Sequence, residues 1–210
     1  VRFGVDEAGK GPVLGSMFAA AVHCEPSALP DGVGDSKGIA PARREELAAE
    51  IREVATVGVG EIPVERIDAP ETDMNTLTVA AHAEALGEIA VDGHVGTVDA
   101  GDANATRFGE RVASRVDADV RITAEHQADE SDPVVGAASI VAKVERDAHV
   151  ERLAAEHGVV GSGYPSDPTT RTFLRECVEE NGELPPCART SWSTCDDVLA
   201  AAEQSGLDDF

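Results

Sequence analysis

Asp6 and Glu7 are the residues from which a chemistry can be built. They stand side by side at the end of a short apolar run, residues 1–5, and just ahead of a glycine-flanked lysine, Gly9-Lys10-Gly11, within the stretch GVDEAGKGPVLG. Two carboxylates beside an amide-rich loop suit divalent ions and a phosphate held in one place. Asp99 closes a second apolar run, GTVDA, and is followed by Gly101. Acids at the ends of buried strands are costly unless they bind something. Asp129 falls between a strand-like RITAEH and a helix-like PVVGAASIVAK, where capping the helix is the alternative role. Asp6, Glu7 and Asp99, completed by Asp129 or by a neighbouring acid such as Glu125, form the donor set that two hard cations, Mg2+ or Mn2+, require to bind a phosphate and activate water for in-line attack.

Adjacent acids alone carry little weight in so acidic a chain, where chance gives about seven or eight such pairs. Glu45-Glu46, Glu179-Glu180 and Asp196-Asp197 read as solvated. The pair at Asp6 differs by its apolar strand and its glycines. The lysines point the same way: Lys10, Lys37 and Lys143 are the only three in the chain, and each lies in a stretch singled out on other grounds.

Forty acids against seventeen bases give a formal charge of −23 over 210 residues, while 42% hydrophobic content excludes wholesale disorder. An acidic surface, scarce lysine and small apolar residues fit a cytoplasmic protein of a halophile. In molar salt the Debye length falls to about 3 Å, so the global charge does not exclude a nucleic-acid partner. No stretch reads as a signal peptide or a membrane span. Cys24, Cys177, Cys187 and Cys195 lack metal-site spacing and read as reduced structural thiols.

These residues need elements to hold them. The pattern predicts strands at 2–8, 14–24, 56–64, 95–100 and 119–125, the first two antiparallel neighbours. Helices are predicted from Pro41, over 74–90, 104–116 and 133–157, and near 168–181 and 194–204. Strands that cluster early and then alternate with helices predict an α/β protein with a mixed sheet and helical layers, not an all-parallel doubly wound fold. The loop GVVGSGYPSDPTT, residues 158–170, is the predicted hinge between a catalytic core and a helical C-terminal part.

GVDEAGKGPVLG, the DSK at 35–37, the VDA at 98–100, AEHQAD followed by PVVGAASIVAKVERD from Ala124, and GSGYPSDP at 161–168 together resemble ribonuclease HII, in its archaeal form, in order and spacing from Val1 to about Arg175. The resemblance implies an RNase H-like mixed five-stranded sheet flanked by helices. It places a catalytic domain over 1–165, a small helical extension over 166–203 and a tail over 204–210. It implies an endonuclease that cuts RNA paired with DNA, and nothing in the sequence requires more than a monomer. Such an enzyme also cuts 5′ of a single ribonucleotide in duplex DNA, leaving 3′-hydroxyl and 5′-phosphate ends. Carried over by motif, Asp6, Glu7, Asp99 and Asp129 become the metal-binding catalytic acids. Gly9, Lys10 and Gly11 become the loop that reads the 2′-hydroxyl through main-chain amides. Tyr164, the only tyrosine, becomes the ring against the sugar at the RNA–DNA junction, and Lys37, Ser139, Lys143 and Arg171 become contacts to the nucleic-acid backbone. Two positions depart from the family pattern. Lys10 stands where arginine is commoner, which keeps the charge but loses the bidentate fork, and Gln127 stands where a basic residue is usual.

His126, near Asp129, is expected to be a hydrogen-bonded structural histidine rather than a ligand. Gln204, Leu207 and Phe210 resemble the spacing of a sliding-clamp-binding tail, without its second aromatic. GVDEAGK matches the P-loop pattern only as far as Gly11, where serine or threonine must bind magnesium, so that reading fails. A non-catalytic acidic adaptor that binds a clamp accounts for the tail but not for acids inside apolar strands.

Overall fold

The computed structural model describes residues 1–34 and 38–208, with side chains to 204. Among these residues the strands are β1 (Arg2–Ala8), β2 (Met17–Cys24), β3 (Thr56–Ile62), β4 (Val95–Asp99) and β5 (Arg121–Glu125). The helices are α1 (Pro41–Val54), α2 (Val64–Ile67), α3 (Met74–Gly87), α4 (Ala105–Ala113), α5 (Ala128–Ser131), α6 (Pro133–His157), α7 (Pro168–Asn181) and α8 (Ser193–Asp208). The strands form one sheet in the order β3-β2-β1-β4-β5. β2 is antiparallel to both β1 and β3, whereas β4 is parallel to β1 and to β5. This is the mixed five-stranded sheet flanked by helices that the strand pattern predicts.

By contact the chain divides into two units, residues 1–10, 17–62 and 73–146 in the first, and 11–16, 63–72 and 147–210 in the second. In the first unit the apolar start of α6 lies directly on β1. A Cβ on Gly4 would stand 2.5 Å from the Val134 carbonyl carbon and closer still to the Val135 nitrogen, so only glycine permits this approach. Asp132 fixes the start of α6: its Oδ1 accepts the Val134 amide hydrogen at 2.8 Å, and its other oxygen pairs with Arg2. Val134, Ala138 and Val141 of α6 then join Ala20, Val22, Leu47 and Ile51 in a dry core. α3 packs on β2 and β3, where Gly60 lets the Ala81 carbonyl come close, and α4 packs on β5.

The second unit has its own core, built from Val13, Leu14, Leu153, Phe173, Leu174 and Val198. Its connections are tied by Asp68, which accepts hydrogen bonds from the amides and hydroxyls of Thr190 and Ser191 at 2.6–3.1 Å. Burial pushes the Asp68 carboxyl up, but these four donors outweigh it and hold it below its usual range. Its stabilising contribution is therefore complete above the ordinary carboxylate value and is lost as pH falls through the lowered folded one. Asp68→Ala is expected to remove about 2 kcal/mol of stability, and chemical denaturation at pH 7 and at pH 3 checks this, the difference between the two proteins shrinking at the lower pH.

Some boundaries differ from the sequence pattern. The second strand begins at Met17 rather than at residue 14, because Gly15 takes a positive φ of 76°. Leu14 instead makes an isolated bridge to Ala188. β3 stops at Ile62 because Pro63 cannot extend the ladder. α2 and α5 are single turns, too short to leave a periodic signal. The cysteines are all free. No described helix is long and apolar enough to cross a membrane.

Candidate active site

The parallel pairing of Val5 with Val98 carries the site. Asp6 and Asp99 each come one residue later, so they stand together at the carboxyl ends of neighbouring strands, where α/β sheets form their crevices. β5 pairs Glu125 with Asp99 and turns through Gln127, whose φ of 57° is left-handed, into α5. The Ala128 amide hydrogen of α5 is accepted by Asp99 Oδ1 at 2.8 Å. That bond brings Asp129, in the first turn of α5 and buried, to the same end of the sheet. Asp129 does not cap the long helix that follows, since it lies inside α5 and Asp132 accepts the Val134 amide hydrogen at the start of α6.

The carboxyls are held at high electrostatic cost. Asp6 is only 5% exposed, and burial drives its pKa well above the usual carboxylate range. Repulsion from Glu7 and Asp99 adds to this, while hydrogen bonds from the Ser139 hydroxyl and the Glu7 amide oppose it. Asp99 is also raised, first by burial and then by Glu7 and Asp129, against the Ala128 hydrogen bond and His82. Glu7 goes the other way: burial pushes it up, but His82 and Lys10 outweigh burial and keep it ionised. Lys10 Nζ lies 3.4 Å from Glu7 Oε1 and donates to the Gly101 carbonyl at 3.0 Å. Gly101 must be glycine for this, since a Cβ there would stand 2.7 Å from Thr78 Cγ2 and 3.3 Å from Glu7 Oε1.

Asp6, Glu7, Asp99 and Asp129 supply hard oxygen donors only, the set preferred by Mg2+ and Mn2+. Among the described residues no three metal-ligating side chains converge closely enough to enclose an ion unaided. Magnesium is commonly bound through one or two carboxylates, with waters and substrate phosphates filling the other positions. The buried, mutually repelling carboxylates fit such a site.

The other expected residues fall in different places. Ser139, expected at the nucleic-acid backbone, is instead fully buried. Its hydroxyl supports Asp6 and accepts from Lys143 Nζ at 2.8 Å. His126, expected to be a structural histidine, is exposed just ahead of the left-handed turn at Gln127. Gly9 is buried with a φ of 93°. In the second unit Tyr164 is 39% exposed, with Cε1 3.5 Å from where a Cβ on Gly11 would stand. Arg171 is exposed and donates to the Pro165 carbonyl at 3.3 Å. Gln204 is exposed near the end of α8, and Leu207 lies in the last turn of that helix. Lys37 and Phe210 lie outside the described residues. His82, like the other histidines, has no joint spacing with His126 in the sequence, yet it is fully buried, and Nε2 stands 2.7 Å from Glu7 Oε2. The only signal for it was a polar residue on the apolar face of the helix pattern 74–90.

Comparison with known proteins identifies the arrangement. The sequence model of the family described as Ribonuclease HII matches residues 3–195. A protein named Ribonuclease HII from Haloarcula marismortui is 72% identical, over 100% of both chains. The crystal structure of the ribonuclease H2 from Pyrococcus horikoshii superposes with a TM-score of 0.88 at 32% identity, covering 96% of this chain and 98% of that one. The ribonuclease chain in a PCNA:RNase HII complex from Archaeoglobus fulgidus superposes with a TM-score of 0.84 at 38% identity, over 94% and 96%. With its acids gathered at one sheet end and its whole length matched, the chain belongs to the ribonuclease HII family, hydrolases that cut nucleic acid.

Proposed function

We propose that this endonuclease hydrolyses the RNA strand of RNA/DNA hybrids and nicks duplex DNA on the 5′ side of a single embedded ribonucleotide, serving ribonucleotide removal and RNA primer processing in the cytoplasm. The carrying observation is the placement of Asp6 and Asp99 at adjacent strand ends, with Glu7 and Asp129 within electrostatic reach. In this reading the four acids hold two divalent ions, Mg2+ or Mn2+. When bound, these supply Lewis acidity and an activated water for in-line displacement at phosphorus. The bond from phosphorus to the 3′ oxygen breaks, leaving a 3′-hydroxyl upstream and a 5′-phosphate on the ribonucleotide. Ser139 holds the buried Asp6 carboxyl in place, and Lys10 sets its side chain beside Glu7 and near the incoming phosphate.

Discrimination rests on the 2′-hydroxyl. Gly9, Lys10 and Gly11 offer main-chain amides to it without a side chain in the way at either glycine. Tyr164, exposed beside Gly11, packs its ring on the sugar. Lys37, Lys143 and Arg171 neutralise backbone phosphates, and a single chain suffices. Residues 204–210 serve as a docking tail for a sliding clamp through Gln204, Leu207 and Phe210. The chain's likeness to the ribonuclease of the Archaeoglobus fulgidus PCNA:RNase HII complex supports this.

The test is a nicking assay in molar KCl with Mg2+ or Mn2+, on duplex DNA holding one ribonucleotide, with an all-DNA duplex as control. A single cut 5′ of the ribonucleotide supports the reading, and its absence with both metals in folded protein overturns it in favour of a clamp-binding adaptor. In the same assay Tyr164→Ala is expected to lower kcat/KM by about tenfold or more, the range of lost aromatic packing on a nucleotide. Tyr164→Phe, which keeps the ring, is expected to stay close to the parent.

A further inference from the structure

His82 sits in the middle of α3, fully buried, with its ring edge-on to Phe108 at 5.1 Å between centroids. Its Nε2 is 2.7 Å from Glu7 Oε2, and an ionised carboxylate can only accept, so the ring donates. Its other nitrogen, Nδ1, is buried and has no hydrogen-bond partner among the described residues. Buried polar atoms are nearly always paired, and one left without a partner destabilises the fold. Stability alone therefore does not account for a histidine here, since an apolar side chain would fill the same space without that penalty.

The bond to Glu7 does account for it. One carboxylate oxygen, Oε2, is occupied by His82, while Oε1 faces the Lys10 ammonium at 3.4 Å and lies within 3.3 Å of the Cβ position on Gly101. The two oxygens of Glu7 are thus made different. We propose that His82 is a positioning residue which withholds Oε2, so that Glu7 ligates a divalent ion through Oε1 alone and in a fixed orientation. Ligands oriented by an outer hydrogen bond of this kind lose about 10–100-fold in metal affinity when the partner is removed. The inference rests on the reading of Glu7 as a metal ligand.

The experiment measures Mn2+ binding to the nucleic-acid-free protein by calorimetry and electron paramagnetic resonance, alongside thermal melting, for the parent, His82→Leu, His82→Gln and Glu7→Gln. His82→Leu keeps the bulk and loses the donor; the side-chain amide of His82→Gln can still donate. The expected result is Mn2+ affinity weakened about 10–100-fold in His82→Leu, restored towards the parent in His82→Gln, with a melting temperature in His82→Leu no lower than that of the parent. If His82→Leu does not fold, His82→Asn, whose amide stops short of Glu7, takes its place against His82→Gln. Parent-like Mn2+ affinity in a folded donor-free variant, with binding weakened in Glu7→Gln, overturns the role of His82 and leaves the metal reading intact. Parent-like affinity in Glu7→Gln overturns the metal reading of Glu7 and the proposal with it.

Discussion

Asp99→Asn is expected to lower kcat by about a thousandfold, about 4 kcal/mol at about 1.36 kcal/mol per decade, without destabilising the metal-free protein. The amide keeps the shape and an acceptor for the Ala128 amide hydrogen, but it loses the negative charge a divalent ion needs. The stability half of the prediction follows from the direction of the Asp99 shift, raised above 3.8 by burial and by Glu7 and Asp129. Between the unfolded and the raised folded value, the native state holds a proton that the unfolded chain has already lost. Stability of the metal-free parent therefore falls as pH rises through that window, and the loss persists above it. Asparagine has no proton to lose. Melting curves in EDTA from pH 4 to pH 8 are expected to show a smaller decline for the variant. A variant that loses its activity because it unfolds contradicts the prediction.

Gly4→Ala is expected to cause a large loss of stability from a single methyl group. The added carbon meets backbone atoms of Val134 and Val135, which cannot rotate aside as a flexible side chain would. Overpacking of this kind costs about 3 kcal/mol, which lowers the melting temperature of a chain this size by about 6–12 °C. Activity is expected to fall as well, although residue 4 touches no acid. Ser139 is carried by α6 and Asp6 by β1, so parting the helix from the strand removes the hydroxyl that supports the buried carboxyl. Thermal melting and kcat at a temperature well below the new midpoint separate the two effects.

What could be read from the sequence divides along physical lines. Asp6, Glu7 and Asp99 were legible because acids interrupt apolar runs at strand ends, and the bounds of β1, α6 and α7 followed from caps, prolines and periodicity. Asp129 was harder to assign, since α5 is a single turn and an acid before a helix looks like a cap. The hydrogen bond from Ser139 to Asp6 is not legible in the sequence, because burial of a hydroxyl depends on how α6 is rotated against the sheet, which its small residues leave undecided. His82 could not be found by spacing, because its partner lies 75 residues away. Leu14 reads as part of a strand because only Gly15 and Ser16 break the apolar run over 13–22, and the positive φ at Gly15 that ends the ladder leaves no mark in a hydrophobic pattern.

The parallel pairing of β1 with β4 also governs when the protein becomes dangerous. Asp6 and Glu7 lie in the first strand, whereas Asp99 arrives only at the end of β4 and Asp129 only after β5, and parallel strands cannot pair until the crossover between them is complete. During synthesis from the N-terminus, the nascent chain carries two acids with no counterpart beside them. If the four acids act together as proposed, a polypeptide ending before β4 is expected to have no hydrolase activity, since Asp99 and Asp129 have not yet been made.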